Sequence, residues 1–363
     1  MKRLRSGYTT GACAAAAAKG AAIAAISGEL PLSSEIPFPD GRRVQFPLIR
    51  CHLDDGANST ARCSVIKDAG DDPDVTNGAE VSAEVIVTEA EDLRTAGIAI
   101  IGGTGVGRVT KPGLALPVGS PAINPVPLAM INEAVEEAFL ELGRDIRSCR
   151  VQVTVSIPEG ERLARYTLNS RLGIVGGLSV LGTTGIVVPV SSAAWTATIS
   201  ASMDVAKEMG VREIVLSTGR TSERAVEAYC RFPEEAYVMM GDYLEFSLQE
   251  AAGHRFERIH LAGMWAKIVK AAMNIPQTHV RHGALDPEQA ISFLERISAR
   301  KLDLQYLRGA NSAREIYERL DRHGETEVIS RVCLAALDYC QAVSGLPATV
   351  YLVQANGRII LTV

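Results

Sequence analysis

The rhythm of the second half of the chain restricts its fold more than any other feature. Short apolar runs at Gly185–Val190, Glu213–Ser217, Ala236–Met240 and Arg258–Leu261 recur about every 22 to 28 residues. Helical segments, Ser192–Met209, Ser222–Cys230 and Tyr243–Ala252, lie between them. That alternation predicts βαβ units in a mainly parallel sheet. Further helices are expected over Asp286–Arg300, Ala313–His323 and Thr326–Ser344, before a hairpin (Ala348–Val353, Arg358–Val363) that turns at Asn356–Gly357. In an open parallel sheet, ligands bind beyond the carboxyl ends of the strands. Those ends carry Ser217–Thr218–Gly219–Arg220, Gly241–Asp242 and Ala262–Gly263–Met264, small residues that suit a crevice floor. Asp242 is placed to accept hydrogen bonds from ribose hydroxyls, and equally to cap the helix that starts at Tyr243.

The first half reads differently. Val- and Ile-rich strands are expected at Arg43–Leu48, Arg62–Lys67, Val81–Thr88, Gly97–Ile101 and Cys149–Ile157. Helices are expected from Thr9 or Thr10 to Ile26, from Pro127 to Gly143, and briefly over Glu159–Leu168. The alanines at 14–18 give the first helix a smooth side for close packing, and its N-terminus, with Arg5, Thr9 and Thr10, is a candidate anion site. The expected architecture is therefore two domains. Residues 1–170 form an α+β domain with a mixed sheet, and residues 171–363 a Rossmann-like, three-layer α/β domain.

Two glycine-rich stretches are candidate ligand loops. Gly102–Gly107 (GGTGVG) follows a strand, but its third glycine comes one residue too early for a dinucleotide fingerprint, and it lacks the Gly-Lys-Ser/Thr of a P-loop. Gly102, Gly103, Thr104 and Gly105 are candidate cofactor contacts, with Arg108 and Lys111 alongside. The second stretch, Arg171–Trp195, gathers five glycines around Thr183 and Thr184. Because Thr183, Thr184 and Gly185 precede their apolar run, they could sit at the opposite end of the sheet from the other candidates. The acidic stretch Asp68–Asp74 lacks the spacing of a calcium loop and reads as a solvated turn.

Composition excludes several classes. A net charge of −5 and no basic tract argue against nucleic acid as the main partner. No apolar run reaches the length of a membrane span, and Lys19 and Gly20 interrupt the alanine-rich N-terminus, so the expected location is cytoplasmic. Seven scattered cysteines without a Cys-x-x-Cys pair fit a reducing compartment rather than a disulfide framework. His279 and His282 lack a firm third ligand, so no metal site is expected. His279 remains a weak candidate for a hydrogen bond to substrate.

Arg171–Trp195 resembles the signature of the CbiD family, the cobalt-precorrin-5B C1-methyltransferases of anaerobic cobalamin biosynthesis. LRSGYTTGACAAAAAKGA at Leu4–Ala21, GGTGVGRVTKPGLALPVGSPAINPVP at Gly102–Pro127, MGDYLEFSLQEA at Met240–Ala251 and HLAGMWAKIVKAAMNIPQTH at His260–His279 are similar to that family in the same order. The resemblance implies methyl transfer from S-adenosyl-L-methionine to a ring carbon of a cobalt-containing tetrapyrrole, giving cobalt-precorrin-6A. Such chemistry needs alignment more than a reactive side chain. The expected cofactor contacts are Gly102–Gly105, Thr183–Gly185, Ser217–Gly219, Gly241 and Asp242. A polycarboxylate substrate calls for cations and hydroxyls, for which Arg5, Thr9, Thr10, Lys111, Arg171, Lys267 and Lys270 are candidates. Two other classes stay open: a nucleotide-dependent kinase or ligase, prompted by GGTGVGR, and a non-catalytic tetrapyrrole carrier. Whether the chain forms a homo-oligomer also stays open.

Overall fold

The computed structural model describes residues 4–54, 59–90, 92, 96–278, 285–298 and 305–363. The chain is of mixed α/β class and divides into two compact units, Met1–Ser191 and Ser192–Val363.

In the first unit a short β1 (Gly7–Tyr8) leads into α1 (Thr10–Ser27), whose N-cap Thr9 accepts from the Ala12 amide and whose C-cap Gly28 adopts φ +76°. Alanine has the highest helix propensity and the smallest side chain that still holds a helix, so α1 can sit inside a core against neighbouring backbones. It is long and apolar enough to cross a membrane by composition, yet 83% of it is buried. Lys19 at its centre is 2% exposed and forms ion pairs with Glu137 at 2.8 Å and Glu141 at 2.7 Å.

Around α1 run β2 (Ser33–Pro37) and β3 (Arg43–Pro47), paired with each other, and then β4 (Arg50–Asp54), β5 (Ser59–Ile66), β6 (Glu80–Glu89) and β7 (Gly97–Gly102). After β8 (Arg108–Val109) come α2 (Pro125–Glu141), β9 (Cys149–Ser156) and α3 (Gly160–Ala164). The main sheet has the order β4-β5-β6-β9-β7, antiparallel throughout except for β7 along β9, and is therefore mixed. Along β9, Cys149, Val151, Val153 and Val155 alternate into the core, the period-2 pattern of a half-buried strand.

Two sequence expectations are corrected here. Gly185–Val190 is not a strand of the second unit. Only Ile186–Val187 (β11) is extended, paired antiparallel with β1, while β10 (Ile174–Val175) pairs with β8. Residues 171–191 thus belong to the first unit, and the division falls at 191/192 rather than 170/171. Pro189 cannot donate to a ladder and Val190 has φ +56°, so the extended run cannot continue. Asp68–Asp74 is a turn with Asp68 and Asp71 exposed, as expected, and its inner side is tied into the fold: buried Lys67 pairs with Asp74 and Thr76, and Asp72 Oδ1 accepts from the Val190 amide at 2.8 Å. Finally, the odd cysteine count concealed one pair, since Cys51 and Cys63 face each other across β4 and β5 and form a disulfide.

The second unit opens with α4 (Ser192–Glu208), followed by β12 (Glu213–Ser217), α5 (Arg220–Tyr229), β13 (Tyr237–Met239), α6 (Leu244–Gly253), β14 (Arg258–Met264) and α7 (Trp265–Ala272). Helices α8 (Pro287–Ile297), α9 (Ala313–Arg322) and α10 (Thr326–Ser344) precede β15 (Ala348–Val353) and β16 (Ile359–Thr362). The sheet order is β13-β12-β14-β15-β16, parallel except for β16. Ile214 and Leu216 of β12 face the large core shared with α6, α7 and α10, whereas Val215 between them faces Ala225 and Val226 of α5. The chain steps from β12 outward to β13 and then returns past β12 to β14. The point at which the strand order reverses therefore lies between β12 and β14, where α/β sheets open a crevice at the strand carboxyl ends.

Candidate functional site

At that reversal the turn after β12 is Thr218–Gly219. Gly219 has an extended backbone, and a Cβ built on it meets nothing within 4 Å, so this turn borders open space. Below it the floor is polar and internally bonded. Ser217 Oγ donates to Glu223 Oε2 at 3.3 Å, both residues being buried, and Ser222 Oγ donates to the Gly219 carbonyl at 2.9 Å. Thr218 N–H takes the Ala262 carbonyl at 3.1 Å, fastening the turn to the end of β14.

At the end of β13, Gly241 and Asp242 face a wall built from α7 and the segment after it. Lys267 Nζ pairs with Asp242 Oδ1 and also donates to the Thr278 carbonyl at 2.9 Å. Lys270 Nζ donates to the same carbonyl at 3.0 Å, and the Thr278 hydroxyl reaches Asp242 Oδ1 at 2.8 Å. Lys267 and Lys270 share a helix face, as their spacing of three requires. Burial pushes the Lys270 ammonium below the ordinary lysine value, and the neighbouring Lys267 charge adds to this. With 3% exposure, Lys270 is directed at the backbone of its own chain rather than outward, which corrects its reading as a substrate cation.

Gly241 serves a packing need that the sequence did not disclose. It sits at φ +58°, and a Cβ there would stand 3.0 Å from the Trp195 ring. The indole donates to the Met240 carbonyl at 3.2 Å and stacks on Tyr243, whose hydroxyl donates to Ser192 Oγ at 3.0 Å. Trp195, Tyr243, Glu223 and Thr278 are the members of this site that sequence reasoning passed over. The signal for the first two was an aromatic residue directly after Gly-Asp and another at the end of a glycine-rich stretch.

The remaining candidates lie in the first unit, in three places. Around the start of α1, Thr9 N–H takes the Gly185 carbonyl at 3.0 Å and Gly11 N–H takes that of Leu181 at 3.2 Å. Thr9 Oγ1 is used on Ala12, and Thr10 is buried, so the chain itself covers the helix start expected to face an anion. Thr183 and Thr184 are exposed beside it, and Thr184 Oγ1 accepts from the Ile186 amide. Arg5 grips Asp68 through both terminal guanidinium nitrogens, an ion pair that holds the Asp68 carboxyl down at about 2, so this arginine is a tie of the fold and not an unpaired substrate cation.

Gly102, Gly103, Thr104 and Gly105 form the third place. A Cβ at Gly105 would lie 1.9 Å from the Ile157 carbonyl oxygen and one at Gly103 2.2 Å from Ser156 Oγ, so these glycines admit neighbouring backbone and side chain. Lys111 and Arg171 are brought together beyond the β8–β10 pairing, Lys111 Nζ donating to the Arg171 carbonyl at 3.4 Å. His279 and His282 lie outside the described residues.

What this arrangement can do is bind and orient. Burial pushes the Cys13, Cys333 and Cys340 thiols up to about 12, which removes them as nucleophiles. Among the described residues no group of three or more His, Cys, Asp or Glu side chains is arranged to hold a metal.

Fold and site together define an α/β protein whose second unit gathers a glycine turn, an acidic residue and a polar floor at the carboxyl ends of a parallel sheet. The family described as CbiD matches residues 1–189, and the one described as CbiD, C-terminal domain, matches residues 277–363. A cobalt-precorrin-5B C(1)-methyltransferase of Desulfotalea psychrophila is 50% identical over 362 residues, covering 98% of this chain and 97% of its own length. One of Geobacter sulfurreducens is 49% identical over 327 residues, with 87% of each chain covered. A crystal structure of the cobalamin biosynthesis protein cbiD from Archaeoglobus fulgidus is 27% identical, covering 88% of this chain and 85% of that one, with a TM-score of 0.39. The chain belongs to the CbiD family.

Proposed function

We propose that this chain is a cobalt-precorrin-5B C(1)-methyltransferase of cobalamin biosynthesis, taking its methyl group from S-adenosylmethionine and releasing cobalt-precorrin-6A. The observation that carries this reading is the 50% identity to a relative of that name along 98% of the chain. The residues fit the donor. The turn at Gly219 borders open space, and Asp242 stands at the end of the strand that follows, where a carboxylate can accept ribose hydroxyls. When bound, S-adenosylmethionine supplies an electrophilic sulfonium methyl, so no side-chain nucleophile is needed.

The chain's own work is then positional. Lys267 and Thr278 hold the Asp242 carboxylate in one orientation, and α5 with its buried Ser217–Glu223 contact keeps the turn beneath in place. Fixing both partners in a near-attack arrangement supplies about 7–11 kcal/mol of the barrier in favourable cases. For the polycarboxylate substrate, Lys111 and Arg171 of the first unit are the proposed cations. Gly102–Gly105 and Thr183–Gly185 remain proposed contacts through their exposed Thr104, Thr183 and Thr184.

The test is an anaerobic incubation with methyl-labelled S-adenosylmethionine and cobalt-precorrin-5B, followed by mass analysis of the tetrapyrrole. A gain of one labelled methyl group at C-1 is expected. Stoichiometric pigment binding with no label transferred identifies a carrier instead, and turnover that depends on ATP identifies a kinase or ligase.

A further inference from the structure

The second unit contains a cleft of about 520 Å³ between α6 and the segment after α7, inside the ~300–1,000 Å³ range of small-molecule sites. One flank is aromatic, formed by Tyr243 and Phe246 of the α6 start, and the other is the Ile275–Pro276 step. The rim is polar: Glu245, Gln249 and Gln277. Two of these residues are chain neighbours of the site described above, Tyr243 following Asp242 and Gln277 preceding Thr278. The two flanks are fastened to each other, because Glu245 N–H donates to the Pro276 carbonyl at 3.1 Å and Thr278 N–H to that of Asp242 at 2.9 Å. Their spacing is therefore set by the backbone rather than by mobile side chains.

We infer that this cleft is the seat of the adenine ring of the methyl donor, lying between Phe246 with Tyr243 on one side and Ile275–Pro276 on the other. The inference rests on the proposed use of S-adenosylmethionine. A flat heterocycle gains from an aromatic face and an apolar backing. The rim decides which flat ligand. Glu245 Oε1 accepts from Gln249 Nε2 at 3.2 Å and Oε2 from the Tyr339 hydroxyl at 3.3 Å, and each carboxylate oxygen has a second lone pair for an exocyclic amino group. The Gln249 and Gln277 amides can donate to ring nitrogens. A polycarboxylate macrocycle fails on the same rim, since it would bring like charge to Glu245 and find no cation among the described lining residues. Asp242, one residue before Tyr243, then falls on the ribose side of the ring.

Calorimetric titration of the full chain with S-adenosylhomocysteine and with its 6-oxo (inosine) counterpart tests this. The wild type is expected to prefer the 6-amino ligand by about tenfold or more, because a carbonyl facing Glu245 leaves two acceptors opposed. Glu245→Gln, nearly isosteric and still able to accept from Tyr339, is expected to erase or invert that preference, since its amide can donate to O6. Phe246→Ala should weaken both ligands by about tenfold through loss of the stacking face. If Phe246→Ala lowers the melting temperature so far that it cannot be titrated, the Glu245→Gln preference alone decides. Binding with the same 6-amino to 6-oxo ratio in wild type and Glu245→Gln overturns the adenine seat and leaves the methyl-transfer reading standing. A wild type that binds neither nucleoside overturns both.

Discussion

Lys267 and Asp242 form an ion pair that joins the start of α7 to the carboxyl end of β13, and the Asp242 oxygen that takes the lysine also accepts the Thr278 hydroxyl at 2.8 Å. One carboxylate oxygen thus ties the segment after β13 to α7 and to the segment beyond it, both of which follow β14. Charge-assisted hydrogen bonds of this kind are the strong ones, and partial burial keeps water from replacing them.

Asp242→Asn removes the charge and leaves Lys267 and Lys270 close together without it. The expected result is a loss of about 1–2 kcal/mol in stability, discounted for partial exposure of the pair. Affinity for S-adenosylhomocysteine is expected to fall by about tenfold. Urea unfolding and calorimetric titration of the same variant check the two effects. Unchanged affinity alongside the stability loss would assign Asp242 to the fold alone.

Two glycines separate packing from ligand approach. Gly105→Ala adds a Cβ at φ +72°, 1.9 Å from the Ile157 carbonyl oxygen, and is expected to destabilise the first unit by more than about 3 kcal/mol. Gly219→Ala meets nothing within 4 Å, in backbone any residue adopts, so its unfolding midpoint should match wild type while donor affinity drops. Thermal melts and nucleoside titration of both variants give the comparison. A Gly219→Ala protein that binds the donor normally would remove that turn from the site.

Why the sequence disclosed one of these roles and not the other is a matter of range. Period and capping are local, so Glu213–Ser217, Thr326–Ser344 and the Thr9-capped α1 could be read directly, and the strand ends at Ser217, Gly241 and Gly263 followed from topology. Gly105 against Ile157 and Lys111 against Gly173 are contacts between distant segments, and glycine density looks the same for a ligand loop and for backbone packed on backbone. The same limit hid β2, β4 and the Cys51–Cys63 pair, whose partners are set by sheet register. It also left Arg5 as a candidate for substrate when Asp68 and Asp71 already engage it.

Glu137 of α2 contributes to the acid stability of the first unit. Arg43 donates to it at 2.8 and 3.0 Å and buried Lys19 at 2.8 Å, and the Arg43 contact first, then Lys19, hold its carboxyl down at about 2 from 4.5. A depressed carboxylate contributes stability that is complete above its unfolded value and is lost as pH falls through the folded one. Stability should therefore decline between about pH 5 and pH 2. Glu137→Gln should flatten that slope and cost about 2–3 kcal/mol at pH 7, because Lys19 keeps only Glu141. Denaturant midpoints measured from pH 7 to pH 2.5 on both proteins check the sign. A variant as steep as wild type would place the acid sensitivity elsewhere.

Trp195 offers an optical readout of the proposed donor site. The chain has two tryptophans, and they differ in environment: Trp195 is 44% exposed and stacked on Tyr243, whereas Trp265 is 5% exposed within the core. A nucleoside seated against Tyr243 and Asp242 changes the surroundings of Trp195 and leaves those of Trp265 alone. Saturation with S-adenosylhomocysteine is therefore expected to shift or quench the emission of wild type, and Trp195→Phe should abolish the change while Trp265 still emits. Gly241→Ala gives the structural control. Its Cβ, at φ +58° and 3.0 Å from the indole, should displace the ring, alter the unliganded spectrum and cost about 1–2 kcal/mol of stability. A ligand-induced change that persists in Trp195→Phe would place the nucleoside near Trp265 instead and away from the end of β13.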